Sequence, residues 1–172
     1  MRAYWGKAIR HMILKKENEM TDIGQSLPAI TVKDSSDNDV NLSGLAAPFV
    51  LYFYPKADTP GCTKEGQGFT EHMAAFQDAG CAVYGMSKDK PAKLAKFAAK
   101  YGLTVTLLSD EASDATEQMG VWVEKSMYGK KYMGIERATF LIGKDGKAVQ
   151  VWRNVKVAGH VEAVLAEVQA MR

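Results

Sequence analysis

The chain has 172 residues, of which 47% are hydrophobic, and it carries a formal net charge of +2. This length suits one globular domain with a single core, and two cysteines are too few for the disulfide framework of a secreted domain. The near-neutral charge argues against nucleic acid as the main partner. Apolar runs are shorter than the roughly 18 residues of a membrane span. We therefore expect a soluble, cytoplasmic protein that makes no use of a membrane, and nothing in the sequence requires more than a monomer.

The first 19 residues differ in composition from the rest. They hold five Lys or Arg against two Glu, so this segment is +3 and the remainder is −1. Apolar residues at helical spacing opposite the cations would suit a membrane surface or an organelle import signal. The alternative is an unpacked extension, with Met20 as the true start. We predict a flexible N-terminal extension over residues 1–19 and one domain over residues 20–172.

The first half of the domain predicts a buried central strand followed by a helix. The polar, turn-rich segment 33–44 is typical of two short strands around a turn. Residues 49–54 are apolar without alternation, as expected of a central strand covered on both faces, and Pro55 ends it. Helical spacing runs from residue 62 to about residue 79, and Gly80 is a stop signal.

The second half repeats the pattern and closes with a hairpin and a helix. It predicts, in order, a buried strand at 81–87, a helix between Pro91 and Gly102, a strand at 105–110, a short helix at 111–120 and a hairpin at 138–152 that turns at Gly143 and Gly146. A last helix buries Val161, Val164, Leu165 and Val168. Strands that alternate with helices in this order predict a three-layer α/β domain with a mixed central sheet flanked by helices.

The stretch "YPKADTPGCTKE" places a cysteine at the start of the first long helix. Proline disfavours helix in the residue before it, so Thr59 suits the helix cap and Pro60 the first helical position. Cys62 then lies in the first turn, where free backbone N–H groups and the helix dipole favour a thiolate. We predict a reactive cysteine at the carboxyl end of a central strand, where α/β sheets bind ligands. The alternative is a buried, inert thiol.

Four segments carry a resemblance to a known family: "YPKADTPGCTKE", "AVYGMS", "EKSMYGKKYMGIERATFLIGKDGK" and "VWRNVKVAGHVEAVL". Together they resemble the peroxiredoxin Q, or bacterioferritin comigratory protein, branch of the peroxiredoxins, over about residues 22 to 168. The resemblance implies a thioredoxin-like fold. It also implies an antioxidant peroxidase that reduces hydrogen peroxide and organic hydroperoxides without a metal or a bound cofactor.

The same resemblance assigns roles to four residues. Cys62 would be the nucleophile that attacks the peroxide and becomes a sulfenic acid. Thr59 would hydrogen-bond the peroxide and the sulfur, and Pro55 would shield the pocket from water. Arg137 would hold the thiolate and the developing negative charge, for which a guanidinium is apt because it stays charged and offers fixed donors.

The chain departs from the family where a second, resolving cysteine is expected. Gln67 and Ala98 stand at the two places where members of this branch carry one. Cys81 should lie at the opposite end of the sheet, because the intervening helix is about 25 Å long and bridged Cα atoms lie within about 7 Å. We therefore predict a one-cysteine enzyme whose sulfenic acid is reduced by thioredoxin, glutaredoxin or a small-molecule thiol. Cys81 is interpreted as a core residue, or as a thiol reached by unfolding or from another chain.

Other functions fit the sequence less well. A cysteine hydrolase needs a histidine base, but His72 lies ten residues along the helix of Cys62, His11 is in the extension, and His160 suits a cap or packing role. Two distant cysteines and three scattered histidines lack the spacing of metal ligands. A thioredoxin-like redox sensor, which passes its oxidation to a partner, would keep Cys62 without fast turnover and is the non-enzymatic alternative.

Overall fold

A seven-stranded mixed sheet forms the middle of the computed structural model. The model describes residues 21–171. The extension predicted over residues 1–19 lies outside the described residues. The strands are β1 (Thr31–Asp34), β2 (Asp39–Asn41), β3 (Phe49–Phe53), β4 (Ala82–Ser87), β5 (Thr106–Ser109), β6 (Trp122–Met127), β7 (Lys130–Ile135), β8 (Ala138–Ile142) and β9 (Ala148–Trp152). The helices are α1 (Pro60–Glu71), α2 (Met73–Asp78), α3 (Pro91–Tyr101), α4 (Ala115–Gln118) and α5 (His160–Ala170).

The sheet has the order β2-β1-β5-β4-β3-β8-β9, and β6 pairs with β7 as a separate hairpin. β3, β4 and β5 run parallel, while the other pairs are antiparallel. All five residues of β3 are buried, because side chains of this strand pack into a core on each face of the sheet. The central strand, the flanking short strands and the closing hairpin predicted from the sequence are confirmed.

The helices are unequally shared between the two faces of the sheet. Residues of α1, α2, α3 and α5 form one core, and the other face is covered by α4, the segment before β1 and part of the β6–β7 hairpin. Two successive β-α-β steps move in the same direction across the sheet, so their right-handed crossovers lie on the same face. The predicted three-layer domain is therefore confirmed. The layer on the second face is the thinner one, and its helix α4 has four residues.

The helix predicted over residues 62–79 is two helices in the structure. α1 ends at Glu71 and α2 begins at Met73, with His72 between them at φ −95° and ψ 7°. The carbonyl oxygen of Gly68 accepts from the backbone N–H of His72 and also lies 2.9 Å from its ring nitrogen Nδ1. A side chain that bonds the backbone one turn back distorts the helix locally.

The β6–β7 hairpin was not predicted from the sequence. Most of its residues are partly or fully exposed, so its strands lack the apolar alternation of a half-buried strand. The signal that could have revealed it is the turn Tyr128-Gly129, where both residues have positive φ, 51° and 78°, as in two-residue hairpin turns. No helix within residues 21–171 is both long enough and apolar enough to cross a membrane.

Gly85 provides a test of the packing around the central strand. It lies opposite Tyr52 in the β3–β4 register, and a Cβ atom at Gly85 would be 2.6 Å from Tyr52 Cζ. Because the Tyr52 ring is buried and stacks on Phe69 at 4.5 Å, it has little room to move. We expect Gly85→Ala to lower the free energy of unfolding by about 1–3 kcal/mol, measured by urea denaturation.

Gly44→Ala is the matched control for this substitution. Its Cβ would be 3.9 Å from the nearest atom, an ordinary contact, so its free energy of unfolding should change by less than about 1 kcal/mol. Equal stability of the two variants would contradict the proposed close contact of Gly85 with Tyr52.

Candidate active site

The loop that leads from β3 to α1 is held by contacts from distant parts of the chain. The backbone N–H of Ala57 donates to Asp89 Oδ2 at 2.8 Å, just after the end of β4. The Asp58 carboxylate accepts from Lys100 Nζ at 3.1 Å and from the hydroxyl of Tyr101, both at the end of α3. These three anchors fix where α1 begins relative to the sheet.

The start of α1 follows the local prediction at the backbone and departs from it at one side chain. Thr59 has the extended φ and ψ of a cap residue, −102° and 155°, and Pro60 is the first helical residue. The Thr59 hydroxyl, however, does not cap the helix and donates to the Lys56 carbonyl at 2.7 Å. Cys62 lies in the first turn of α1 and is buried, which places its sulfur at the positive end of the helix dipole.

Arg137 reaches this sulfur from the loop between β7 and β8. β8 pairs antiparallel with β3, and Ala138 is the partner of Phe53, so the residue before Ala138 lies beyond the carboxyl end of β3. From there Arg137 donates from Nη2 to Cys62 Sγ at 3.4 Å and from Nη1 to Glu65 Oε1 at 2.8 Å. Burial opposes the charge of Arg137, but the neighbouring Glu65 and Cys62 outweigh it and raise its pKa.

Gly61 leaves room for the guanidinium. A Cβ atom at this position would lie 3.2 Å from Arg137 Nη2, closer than most such contacts in proteins. The glycine between Pro60 and Cys62 therefore allows Arg137 to lie against the first turn of α1.

Glu65 is a residue of the site to which the sequence interpretation gave no role. It is fully buried, and Oε2 has no hydrogen-bond partner among the described residues. Burial raises the pKa of Glu65 to about 7 although the charge and hydrogen bond of Arg137 act to lower it. The signal that could have revealed it is its position three residues after Cys62, which places both side chains on one helix face.

Pro55 lies at the rim of a groove beside the site. Its side chain is exposed, and it lines a cavity of about 370 Å³ together with Trp122, Met133, Ile135 and Lys125. Burial and the charge of Arg137 lower the pKa of Lys125, while Cys62 acts in the opposite direction, so the charges of the site influence this side of the groove.

Cys81 is distant from Cys62. It precedes Ala82, which pairs with Phe49 at the beginning of β3, whereas Cys62 follows the end of the same strand. The Cys81 thiol is buried and donates to the Ala82 carbonyl at 3.6 Å, and burial raises its pKa to about 11. The structure thus supports a core position for Cys81, at the opposite edge of the sheet.

The histidines of the described region occupy structural positions. His72 bonds the Gly68 carbonyl as described above. His160 is buried at the start of α5, where its Nε2 lies 2.7 Å from Thr139 Oγ1 and its ring packs against Trp152. Within residues 21–171 no group of three or more His, Cys, Asp or Glu is arranged to hold a metal ion.

His160 and Glu65 should affect the pH dependence of stability in opposite directions. Burial, followed by the charge of Arg137, lowers the pKa of His160 from 6.5 to about 4, so stability should fall as pH drops through this window, where only the unfolded chain binds the proton. Burial raises the pKa of Glu65 from 4.5 to about 7, so stability should fall as pH rises through that window.

We therefore expect the two contributions to offset each other in the wild type and to separate in single variants. Relative to wild type, His160→Gln should gain stability as pH falls from about 6.5 to 4.5, and Glu65→Gln should lose it, by up to about 3 kcal/mol each at about 1.4 kcal/mol per pKa unit. Urea unfolding at several pH values measures this. Parallel stability curves for all three proteins would contradict it.

Comparison with known proteins agrees with this geometry. A profile of the AhpC/TSA family matches residues 23–151. The chain is 46% identical over 143 residues to peroxiredoxin Bcp of Escherichia coli, which covers 83% of this chain and 92% of that protein. It is 43% identical over 156 residues to peroxiredoxin Bcp of Xanthomonas campestris, which covers 88% of this chain and 98% of that protein.

Solved structures give the same result for the fold. A Xanthomonas campestris bacterioferritin comigratory protein, described for its alkyl peroxide reduction activity, superposes with a TM-score of 0.80 at 40% identity and covers 87% of this chain and 98% of its own. Peroxidoxin BcpB of Mycobacterium tuberculosis gives a TM-score of 0.77 at 33% identity and covers 88% and 99%. The chain therefore belongs to the AhpC/TSA family, as a peroxidase with the thioredoxin-like fold from the peroxiredoxin Q, or bacterioferritin comigratory protein, branch.

Proposed function

We propose that Cys62 reduces hydrogen peroxide and organic hydroperoxides, becomes a sulfenic acid and is recycled by an external thiol. The observation that carries this proposal is the 3.4 Å contact between Arg137 Nη2 and Cys62 Sγ, at the N-terminus of α1. A guanidinium and a helix N-terminus both stabilise a thiolate, which is the form of cysteine that attacks a peroxide.

The chemistry is a displacement at the terminal peroxide oxygen. The sulfur forms a bond to that oxygen, the O–O bond breaks, and the other oxygen leaves with the electron pair. Arg137 is positioned to stabilise the negative charge as it moves from sulfur to the leaving oxygen, and one such donor contributes about 2.7–4 kcal/mol in comparable sites. Because the Thr59 hydroxyl gives its hydrogen to Lys56, its oxygen is available to accept the hydrogen bond of a hydroperoxide.

The groove beside Pro55 supports a substrate with an organic group. Its walls include Trp122, Met133 and Ile135 beside charged residues such as Lys88 and Asp89, and the apolar part of this wall favours an alkyl or aryl substituent. The alkyl peroxide reduction activity described for the Xanthomonas protein is in line with this. In this account Pro55 limits the access of water from the side of the groove.

Recycling by an external thiol follows from the position of the second cysteine. Cys81 lies at the far edge of the sheet, and burial raises its pKa to about 11, which disfavours the thiolate that would attack a sulfenic acid. Two solved structures of Xanthomonas peroxiredoxin Q each have one cysteine replaced by serine. The two replaced positions are as far apart in that sequence as Cys62 and Ala98 are in this one. Alanine at position 98 provides no thiol, which supports a one-cysteine enzyme.

Serine variants of the two cysteines test this proposal as a matched pair. With one equivalent of peroxide, wild type and Cys81→Ser should each gain one oxygen atom by intact mass, and Cys62→Ser should not. Steady-state consumption of peroxide with thioredoxin, glutaredoxin or a small-molecule thiol should fall to background in Cys62→Ser and stay near wild type in Cys81→Ser.

Two outcomes would contradict the proposal. A quantitative Cys62–Cys81 disulfide on a non-reducing gel would exclude the one-cysteine mechanism. Rapid oxidation of Cys62 without turnover in the presence of any of these thiols would favour a redox sensor over a peroxidase.

The groove predicts a difference between substrates. Met133 lines the groove and is 49% exposed, whereas Met127, on the same hairpin, is 57% exposed and does not line it. We expect Met133→Ser to lower kcat/KM for a bulky alkyl hydroperoxide about tenfold through lost apolar contact, with little change for hydrogen peroxide. Met127→Ser should change neither, and equal effects of the two substitutions would remove the groove from the substrate site.

A further inference from the structure

Three ionisable side chains meet in the buried space at the start of α1. Arg137 contacts Glu65 Oε1 at 2.8 Å through Nη1 and Cys62 Sγ at 3.4 Å through Nη2. The side chain of Glu65 is 0% exposed and that of Arg137 is 15% exposed. A thiolate and a carboxylate here would be two negative charges on one helical turn, in contact with a single guanidinium. Like charges this close in a buried site do not ionise together without cost.

The surrounding groups do not balance the second negative charge. Tyr52 and Tyr54, which face Glu65 and Cys62 from β3, are buried, and burial raises the pKa of both hydroxyls, so they stay neutral. His160 of α5 is also neutral near pH 7, since burial, followed by the charge of Arg137, lowers its pKa to about 4. Lys125 of β6 acts on Cys62 and Arg137, but within residues 21–171 it forms no ion pair with either acid.

One oxygen of Glu65 fits a protonated carboxyl better than a carboxylate. Oε1 accepts from Arg137, whereas Oε2 is buried without a hydrogen-bond partner among the described residues. Burying an unpaired oxygen costs much more when it carries charge than when it carries a proton. The rise of the Glu65 pKa to about 7 has the same cause, which is burial.

We propose that Cys62 and Glu65 share one proton around Arg137: Glu65 holds it while Cys62 is a thiolate and gives it up when Cys62 is oxidised. This inference rests on the peroxidase function proposed for Cys62. Glu65 does not contact the reacting atoms in this account, and it acts as a positioning residue that keeps one net negative charge beside the guanidinium.

The proton balance of peroxide reduction follows from this arrangement. The thiolate sulfur forms the S–O bond and loses two electrons, the O–O bond breaks, and the leaving alkoxide or hydroxide needs one proton. Once the sulfur is a neutral sulfenic acid, Glu65 is the anion that pairs with Arg137 and it releases its proton. Thiolate, protonated carboxyl and hydroperoxide thus become sulfenic acid, carboxylate and alcohol or water, with no net proton drawn from the solvent.

Proton uptake during a single turnover tests the inference. Reduced protein is mixed with a slight excess of hydrogen peroxide, without thiol, in weakly buffered solution near pH 7 that contains a pH indicator, and sulfenic acid is counted by intact mass. Because the pKa of Glu65 is about 7, part of this carboxyl is already ionised near pH 7, so wild type should take up clearly less than one proton per sulfenic acid. Glu65→Gln, which has no proton to give, should take up one. Glu71→Gln, at an exposed acid of the same helix, should behave as wild type. Uptake of one proton by wild type would overturn the proposal.

An infrared titration tests the same proton without peroxide. A carboxylic acid band that is absent in Glu65→Gln and present in Glu71→Gln reports the protonated Glu65. As pH rises, this band should disappear about one pH unit lower or more in Cys62→Ser than in wild type, because serine provides no competing negative charge. Titration of the band at the same pH in both proteins, or its absence from reduced wild type near pH 6, would overturn the proposal.

The two experiments separate this inference from the proposed function. If peroxide fails to oxidise Cys62 in wild type, the peroxidase proposal is wrong, and the infrared titration still decides whether the proton is shared. If Glu65→Gln does not fold, the comparison of wild type with Cys62→Ser decides alone. If Cys62 is oxidised normally but wild type takes up one proton per sulfenic acid, only the shared proton is excluded.

Discussion

The contact of Arg137 with both Cys62 and Glu65 is the interaction on which the site depends. A partly buried cation is unfavourable unless it is paired with negative charge, and both side chains that contact Arg137 come from the first two turns of α1. A Cβ atom at position 61 would lie only 3.2 Å from the guanidinium, so a side chain there would crowd it. The charge of Arg137, the absence of a side chain at Gly61 and the position of α1 therefore depend on one another. A substitution that alters one of them would disturb the contacts that involve the other two.

The order of the strands explains why these groups meet. β3 is hydrogen-bonded to β4 on one side and β8 on the other, so the loop after β3 lies between the end of β4 and the residue that precedes β8. Asp89 fixes the loop from the first side, and Arg137 approaches the sulfur from the second. The central strand β3 thus contributes to the site as well as to the core, because its neighbours β4 and β8 bring together groups that are far apart in the sequence.

Local rules predicted what depends on neighbouring residues. The extended backbone at Thr59, the first helical position of Pro60 and the cysteine in the first turn follow from a few adjacent residues, although the Thr59 hydroxyl does not cap the helix. The strands with buried faces follow from apolar runs. The position of Arg137 is different, because it depends on the antiparallel register that pairs Phe53 with Ala138, 85 residues further along the chain. Only the family resemblance indicated it. The β6–β7 hairpin escaped prediction because an exposed strand leaves no apolar pattern.

The parallel pairing of β3 with β4 also limits how the site can be recycled. The segment after β3 and the segment before β4 lie at opposite edges of the sheet, and this separates Cys62 from Cys81 whatever the intervening helices do. A thiol that reduces a sulfenic acid must be ionised and must approach the sulfur. Burial at the far edge denies Cys81 both conditions. For the proposed function, the electrons that restore Cys62 must therefore arrive at the edge that carries Pro55 and Thr59, from a thiol outside the intact domain.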